Sequence, residues 1–389
     1  MENLENIPWI KDLIRTRPGI ADELSTDKRE LLGRESLQDE LNNILQKPEV
    51  DSIEKQVKIV DEFRSRYLLR IVIAEIMDDL PLMRISDHLT FLAEAIIRVV
   101  TERVWAEMVS RYGTPTCAIG NNLCDMGFIV IGYGKFGGLE LGYASDLDLV
   151  FLHAGNLEDT QGAEITIDSA QFYIKLGQQV IKILGGQTIT GELYETDMRL
   201  RPDGMKGLLV QNINSYRNYL IERAQTWEHQ ALIRARAIFG DPTVLEKFNE
   251  IRQEVLAINR DEEKLKDEVI NMRESMLKEL DKSGKDGFDL KQGKGGIIDI
   301  EFIVQYLTLL YAGKNSSFKL WTDVVRLLGS MVECKILDEN TAHILRSTYL
   351  MYRSYIHKLS LQGMPKILED NQFLAQRQKI ITIYEGLLQ

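Results

Sequence analysis

The chain has 389 residues, 44% of them hydrophobic, enough for two or three globular domains. Its 47 Lys and Arg against 59 Asp and Glu leave a formal net charge of −12, which argues against sequence-independent binding of nucleic acid. Cys117, Cys124 and Cys334 and the scattered His88, His153, His229, His343 and His357 have no zinc-ligand spacing, and an odd thiol count suits a reducing cytosol. The start MENLENIPWIKDLI lacks a signal-peptide pattern and no run reaches the length of a membrane helix, so a cytoplasmic protein is expected.

Residues 1–112 read as helices, with charged segments around Ser36–Leu45 and Ile53–Met77. Leu89, Leu92, Ala93, Ile96, Val99, Val100 and Val104 recur at helical spacing after Ser86, which is placed as an N-cap. Asp87 and His88 are read as capping and packing groups. Tyr112-Gly113-Thr114-Pro115 closes this block.

The central block covers residues 113–245. Phe128, Ile129, Val130 and Ile131 form a continuous apolar run, as a strand covered on both faces does. Gly132, Gly134, Gly137, Gly138 and Gly142 follow and let the backbone approach a ligand closely. Ser145 then leads into a second strand. Side chains alternate there, so Asp146 and Asp148 share one face while Leu147, Leu149 and Phe151 take the other. Two acids side by side at the start of a hydrophobic strand repel each other unless a cation lies between them. Mg²⁺ suits that place, because it takes one or two protein carboxylates plus substrate phosphates. The glycine turn offers N–H groups to those phosphates, and Lys135 adds a point charge. A surface turn before a solvated strand end is the plainer alternative.

Gly132-Tyr133-Gly134-Lys135-Phe136-Gly137 also matches the dinucleotide fingerprint G-x-G-x-x-G. That fingerprint needs a crossover of roughly a dozen residues to a parallel strand. Only Gly138–Ser145 are available, so the dinucleotide reading fails on length.

Ala154–Glu164 reads as a polar loop, and Thr166–Leu184 as an amphipathic helix stopped by Gly185-Gly186. In GELYETDMRLRP, residues 191–202, a strand is expected with Tyr194, Thr196, Met198 and Leu200 on one face. Glu195, Asp197, Arg199 and Arg201 fall on the other. Asp197 is read as a third metal-site carboxylate with Arg199 and Arg201 near phosphates. A solvated edge strand with ion pairs is the alternative. Tyr216–Arg236 is expected to be helical, with Glu228, Arg234 and Arg236 as either a salt-bridged face or a pocket wall.

Residues 246–389 return to helices. Glu250–Leu280 reads as one long charged helix, and Ser283-Gly284-Lys285-Asp286-Gly287 as a linker. In KQGKGGIIDIEFIVQ, residues 291–305, a glycine turn opens a helix. Asp299 and Glu301 suit its positive end, while Lys291 and Lys294 are weaker phosphate candidates. The remainder has a bundle pattern with Trp321 and Leu327 as core, and Gln389 follows no clear helix stop, as in a chain cut from a longer one.

A D-x-D strand, a third acid on a later strand and a glycine turn before both suit nucleotidyl transfer with two metal ions. This constellation resembles the DNA polymerase beta nucleotidyltransferase superfamily, with Gly132-Tyr133 at its usual Gly-Ser position. More specifically, GYGKFGGLELGYASDLDLVFLH, YETDMRLRPDG, TWEHQALIRARAIFGD and KGGIIDIEF resemble the glutamine synthetase adenylyltransferase family. LGYASDLDLVFLH and WEHQALIRARA look like its adenylylating C-terminal half, and by that resemblance the adenylyl-removing half is expected to be absent from this sequence.

The resemblance implies an α+β fold, a polymerase beta-like core between N-terminal helices and a C-terminal helical bundle. It implies transfer of AMP from ATP to a tyrosine of glutamine synthetase, with two Mg²⁺ ions, and the PII signal protein as an associate. By motif match, Asp146, Asp148 and Asp197 become the metal carboxylates, with Asp197 nearest the attacking tyrosine as proton acceptor. Gly132, Tyr133, Gly134, Lys135, Ser145, Arg199 and Arg201 become the nucleotide site. The rivals are phosphorolytic removal of AMP, uridylyl transfer to a signalling protein, and a docking module that only senses nucleotide.

Overall fold

The apolar run after Gly127 becomes the interior strand of a mixed sheet in the computed structural model, which describes residues 4–25, 30–47, 53–156, 158–186, 192–284, 287–369 and 371–388. Leu157 of the expected loop, Gly191 of the expected strand, Lys285 and Asp286 of the expected linker, and Gln389 lie outside the described residues. The fold is α+β, as expected. By proximity the chain divides into two units, Met1–Tyr219 with Arg236–Glu250, and Leu220–Ala235 with Ile251–Gln389.

In the first unit, a small hairpin of β1 (Ala118–Ile119) and β2 (Asn122–Leu123) precedes β3 (Phe128–Gly132) and β4 (Leu147–His153). β3 and β4 run antiparallel, with Gly132 opposite Leu149. That geometry is a second reason against a dinucleotide fold, which needs parallel neighbours. Two short parallel strands flank β4 on its other edge, β5 (Thr196–Asp197) at its start and β6 (Val210–Asn212) at its end. β7 (Arg236–Gly240) pairs antiparallel with β3, across a bulge between Val130 and Ile131.

Helices α1 (Pro8–Thr16), α2 (Arg34–Leu45), α3 (Ile53–Ile76) and α4 (Leu82–Tyr112) come before the sheet. The apolar core is continuous from Leu37 and Leu41 through Leu92 and Ile96 to Phe128 and Leu149. A side chain as buried as Leu92 or Ile96 contributes about 1.5–3 kcal/mol. After the single glycine-rich turn α5 (Gly134–Gly137), helix α6 (Ser169–Leu184) packs Phe172 edge-on to Trp105 at 5.3 Å. Ser86 is not a cap: α4 starts at Leu82 with Pro81 as N-cap, and Ser86 is fully buried inside the helix. Proline fixes φ and needs no hydrogen bond for its nitrogen, so it opens the helix a turn earlier.

The expected helix over 216–236 is interrupted. α7 (Ile213–Glu222) stops, α8 (Thr226–Ile233) restarts on a capping box of Gln225 and Glu228, and β7 follows. The expected helix over 250–280 is also two, α9 (Pro242–Leu256) and α10 (Glu262–Leu280), with Asp261 capping the second. Arg260, between them, donates to the carbonyls of Val255, Leu256 and Ile258. Burial brings its pKa down to about 10.

In the second unit, α11 (Ile297–Tyr311) is buried on nearly every face. α12 (Val324–Glu333), α13 (Glu339–Leu361) and α14 (Leu374–Leu388) follow, and β8 (Gly287–Asp289) pairs antiparallel with β9 (Ile367–Glu369). Helix polarity does not account for both acids of α11. Asp299 does accept from Gly295 N–H at 2.6 Å, but it also pairs with buried Arg273 at 2.5 Å. Glu301, a turn further in, pairs with buried Arg234 at 2.5 Å and accepts from the Tyr349 hydroxyl at 3.3 Å. Lys294 is paired with Glu385 at 2.9 Å. Leu327 is core, whereas Trp321 is 39% exposed, with Arg326 over its ring.

Candidate active site

Three sequence features meet at the start of β4. β3 ends at Gly132, the Tyr133 N–H donates to the Asp148 carbonyl at 2.9 Å, and the chain turns back along β4. Gly134 sits at φ +52° against the carboxylate of Asp148, where an added Cβ would lie 2.3 Å from Oδ2. Only glycine combines that backbone angle with that approach. Beyond it, the Arg236 guanidinium donates to the carbonyls of Gly137 at 3.0 Å and Phe136 at 3.2 Å. The same guanidinium pairs with buried Glu94 of α4 at 2.6 Å, and Arg34 holds the other oxygen of Glu94 at 2.7 Å. The glycine turn is thus tied at one end to β4 and at the other to β7 and α4.

On the other edge of β4, Asp148 is the register partner of Asp197 across the parallel β4–β5 pair. Paired residues of parallel neighbours point to the same face, so the two carboxylates stand side by side. Asp146 is exposed and lies just before β4, two residues from Asp148 and therefore on the same side. Arg199 reaches back to Asp197 with Nε at 2.8 Å and Nη2 at 2.5 Å from Oδ2. This arginine holds the Asp197 carboxyl below the usual carboxylate range. The guanidinium is itself held more firmly protonated, by Asp197 first and by Asp148 and Asp146 beyond it.

Other expected site residues have different surroundings. The long strand over 191–202 does not form. β5 is two residues long, and the chain then turns through Asp203, whose φ is +58°. Arg201 is therefore not beside Asp197 on a strand face. It is buried and donates to the carbonyls of Met198 at 3.0 Å, Met205 at 3.1 Å and Gly207 at 3.3 Å, which sets the shape of this loop. Tyr133 is buried with its hydroxyl on that of Tyr216. The Ser145 hydroxyl accepts from Gly142 N–H at 3.1 Å, inside the turn before β4. Lys135 is half-buried on α5. Sequence reading missed Glu94 and left Arg236 open. A lone acid in the apolar run Leu92-Ala93-Glu94-Ala95-Ile96 was the available signal.

Among the described residues no group of three or more His, Cys, Asp or Glu side chains is gathered to hold a metal ion by itself. The donor set nonetheless fits Mg²⁺, a hard cation that uses one or two carboxylates and leaves its other positions to water and phosphate. The acidic face also already carries a cation, the Arg199 guanidinium. No helix among the described residues is long and apolar enough to cross a membrane.

Comparison with known proteins gives the family of the chain. Residues 1–251 match the family model for glutamate-ammonia ligase adenylyltransferase, and residues 264–366 match that for GlnD PII-uridylyltransferase. The chain is 42% identical over 387 residues to the bifunctional glutamine synthetase adenylyltransferase/adenylyl-removing enzyme of Thioalkalivibrio sulfidiphilus, covering 98% of this chain and 40% of that protein. The enzymes of the same name from Pseudomonas syringae pv. tomato and Shewanella loihica are also 42% identical, over 97% and 98% of this chain and 40% of theirs. The chain thus spans about two fifths of the length of these curated relatives, 40% in each case. With a match over residues 1–251 that contains β3, β4, β5 and the acids they carry, the chain belongs to the glutamate-ammonia ligase adenylyltransferase family.

Proposed function

We propose that the chain transfers AMP from ATP to a tyrosine hydroxyl of glutamine synthetase. The tyrosine oxygen bonds to the α-phosphorus, the bond from that phosphorus to the bridging oxygen breaks, and pyrophosphate leaves. The observation that supports this most is the register pairing of Asp148 with Asp197 beside the glycine turn. Asp146, Asp148 and Asp197 would hold Mg²⁺, two ions being expected. When bound, these ions offset triphosphate charge and lower the pKa of the attacking hydroxyl.

The chain's own groups have distinct tasks. Gly134 keeps the backbone close to Asp148, Lys135 adds positive charge at the turn, and Arg236 fixes the far end of the turn. Asp197 takes the tyrosine proton, whose pKa of about 10 otherwise makes the phenol a poor nucleophile at neutral pH. Arg201 and Tyr133 serve by shaping the loops on which these groups stand.

Uridylyl transfer is the weaker reading. The match to the PII-uridylyltransferase model falls on residues 264–366, whereas the carboxylates lie at 146–197. That match instead supports a link between the second unit and the PII signal protein. Adenylyl removal has no feature of the site in its favour. Incubating glutamine synthetase and Mg²⁺ with ATP or UTP, each labelled at the α-phosphate, separates the donors. Label is expected in the acceptor from ATP alone, and incorporation from UTP would overturn the assignment.

A further inference from the structure

We infer that Arg199 is a built-in counter-cation for the acidic face, seated on Asp197 when no divalent ion is bound and displaced by an ion arriving at Asp146, Asp148 and Asp197. This rests on the reading of those carboxylates as metal ligands given above.

Both oxygens of Asp197 are engaged by a single residue. Oδ1 accepts from the Arg199 backbone N–H at 2.8 Å and from Nε at 3.0 Å, while Oδ2 accepts from Nε at 2.8 Å and Nη2 at 2.5 Å. A carboxylate so occupied has little capacity left for a metal. The arginine side chain is 74% exposed, however, against 16% for Asp197. With the guanidinium so open to water, the pair is screened on its arginine side and can be exchanged for a competing cation. The pairing therefore behaves as a replaceable plug, with the water-facing partner as the one that leaves.

The guanidinium also interacts with Asp148 and Asp146, so its charge offsets the mutual repulsion of all three acids. Without it, the paired Asp148 and Asp197 would stand as like charges on neighbouring strands, with Asp146 just before β4. Displacement is reciprocal: the guanidinium weakens ion binding, and a bound ion drives the arginine outward. Its planar fork then suits phosphate oxygens of a nucleotide bound with the ion. One charge thereby serves two states, neutralising the acids in the first and the triphosphate in the second.

The test is Mn²⁺ binding to the full chain without nucleotide, read as free ion by electron paramagnetic resonance. Arg199→Gln is expected to bind Mn²⁺ about five- to tenfold more tightly than the unaltered chain, the range expected from removing one exposed ion pair and one nearby positive charge. Arg199→Lys, which keeps the charge, is expected to stay closer to the unaltered chain. Equal or weaker binding by Arg199→Gln overturns the inference, provided Asp148→Asn weakens binding in the same assay. If Asp148→Asn binds Mn²⁺ as well as the unaltered chain, the carboxylate reading falls and the inference with it.

Discussion

At the scale of single residues, Gly134 carries the most specific demand. Its backbone lies at φ +52° and its missing side chain leaves room for the Asp148 carboxylate. Alanine there would meet Oδ2 at 2.3 Å and push apart the turn and β4. Gly134→Ala is expected to cost about 1–2 kcal/mol of stability from the left-handed backbone alone. AMP transfer should fall by about a hundredfold through misplacement. Urea unfolding and transfer rates check the two effects separately. The sequence flagged this glycine by its place in a run of five, but it did not say which member touches an acid. That depends on the β3–β4 register, which no local signal encodes.

His153, the last residue of β4, sets a pH dependence. It is buried, stacked on Tyr173 at 4.7 Å, and its Nδ1 accepts from Gly155 N–H at 3.0 Å. Burial brings its pKa down to about 4, partly opposed by Asp168. The folded chain therefore keeps this ring neutral while the unfolded chain takes a proton near pH 6.5. Its contribution is complete above about pH 6.5 and is lost as pH falls toward 4, up to about 3 kcal/mol. Unfolding free energies of the unaltered chain and His153→Gln between pH 7 and pH 4 should converge by that amount. Parallel curves would contradict the assignment.

At the scale of elements, legibility followed the strength of the local pattern. β3 and β4 were clear, because a continuous apolar run and an alternating one each carry their own period. β7 was hidden, since Arg236–Gly240 follows a helical pattern without a turn signal and is only half-buried. β5 was overextended for the opposite reason. Alternation over 191–202 resembles a strand, but the buried Arg201 guanidinium stabilises a turn just after Asp197. The α9–α10 break was masked by charge on both sides, although Asp261 is an N-cap by type.

The element that most needs testing is the tether of α5. Arg236 joins β7, α4 and the carbonyl end of the glycine turn, and its loss leaves buried Glu94 with Arg34, whose side chain is 51% exposed. Arg236→Met is expected to lower stability by about 1–3 kcal/mol. It should also raise the KM for ATP more than it lowers kcat, because the turn and not the acids is released. Unfolding curves and transfer kinetics at several ATP concentrations check this. A pure stability loss with unchanged KM would show that the tether does not position the nucleotide.

At the scale of the whole molecule, the family was legible from motifs spread along the chain. The four motifs quoted from the chain span residues 132–302, and the family match over residues 1–251 contains the first three. The internal pairing of the second unit was not legible. Asp299 and Glu301 look like helix-end acids in isolation, and only the fold brings Arg273, Arg234 and Tyr349 to them. Such buried pairs are costly to break, about 3–5 kcal/mol when one partner is lost. They fix α11 at the centre of its unit.

The central claim is that a tyrosine of glutamine synthetase receives AMP at the acids on β4 and β5. The most direct measurement is the intact and peptide mass of glutamine synthetase after exposure to this chain, ATP and Mg²⁺, with Asp148→Asn as control. One added AMP on one tyrosine, absent with the folded Asp148→Asn chain, is the predicted result. No adduct from the unaltered chain, or an equal adduct from Asp148→Asn, would contradict it.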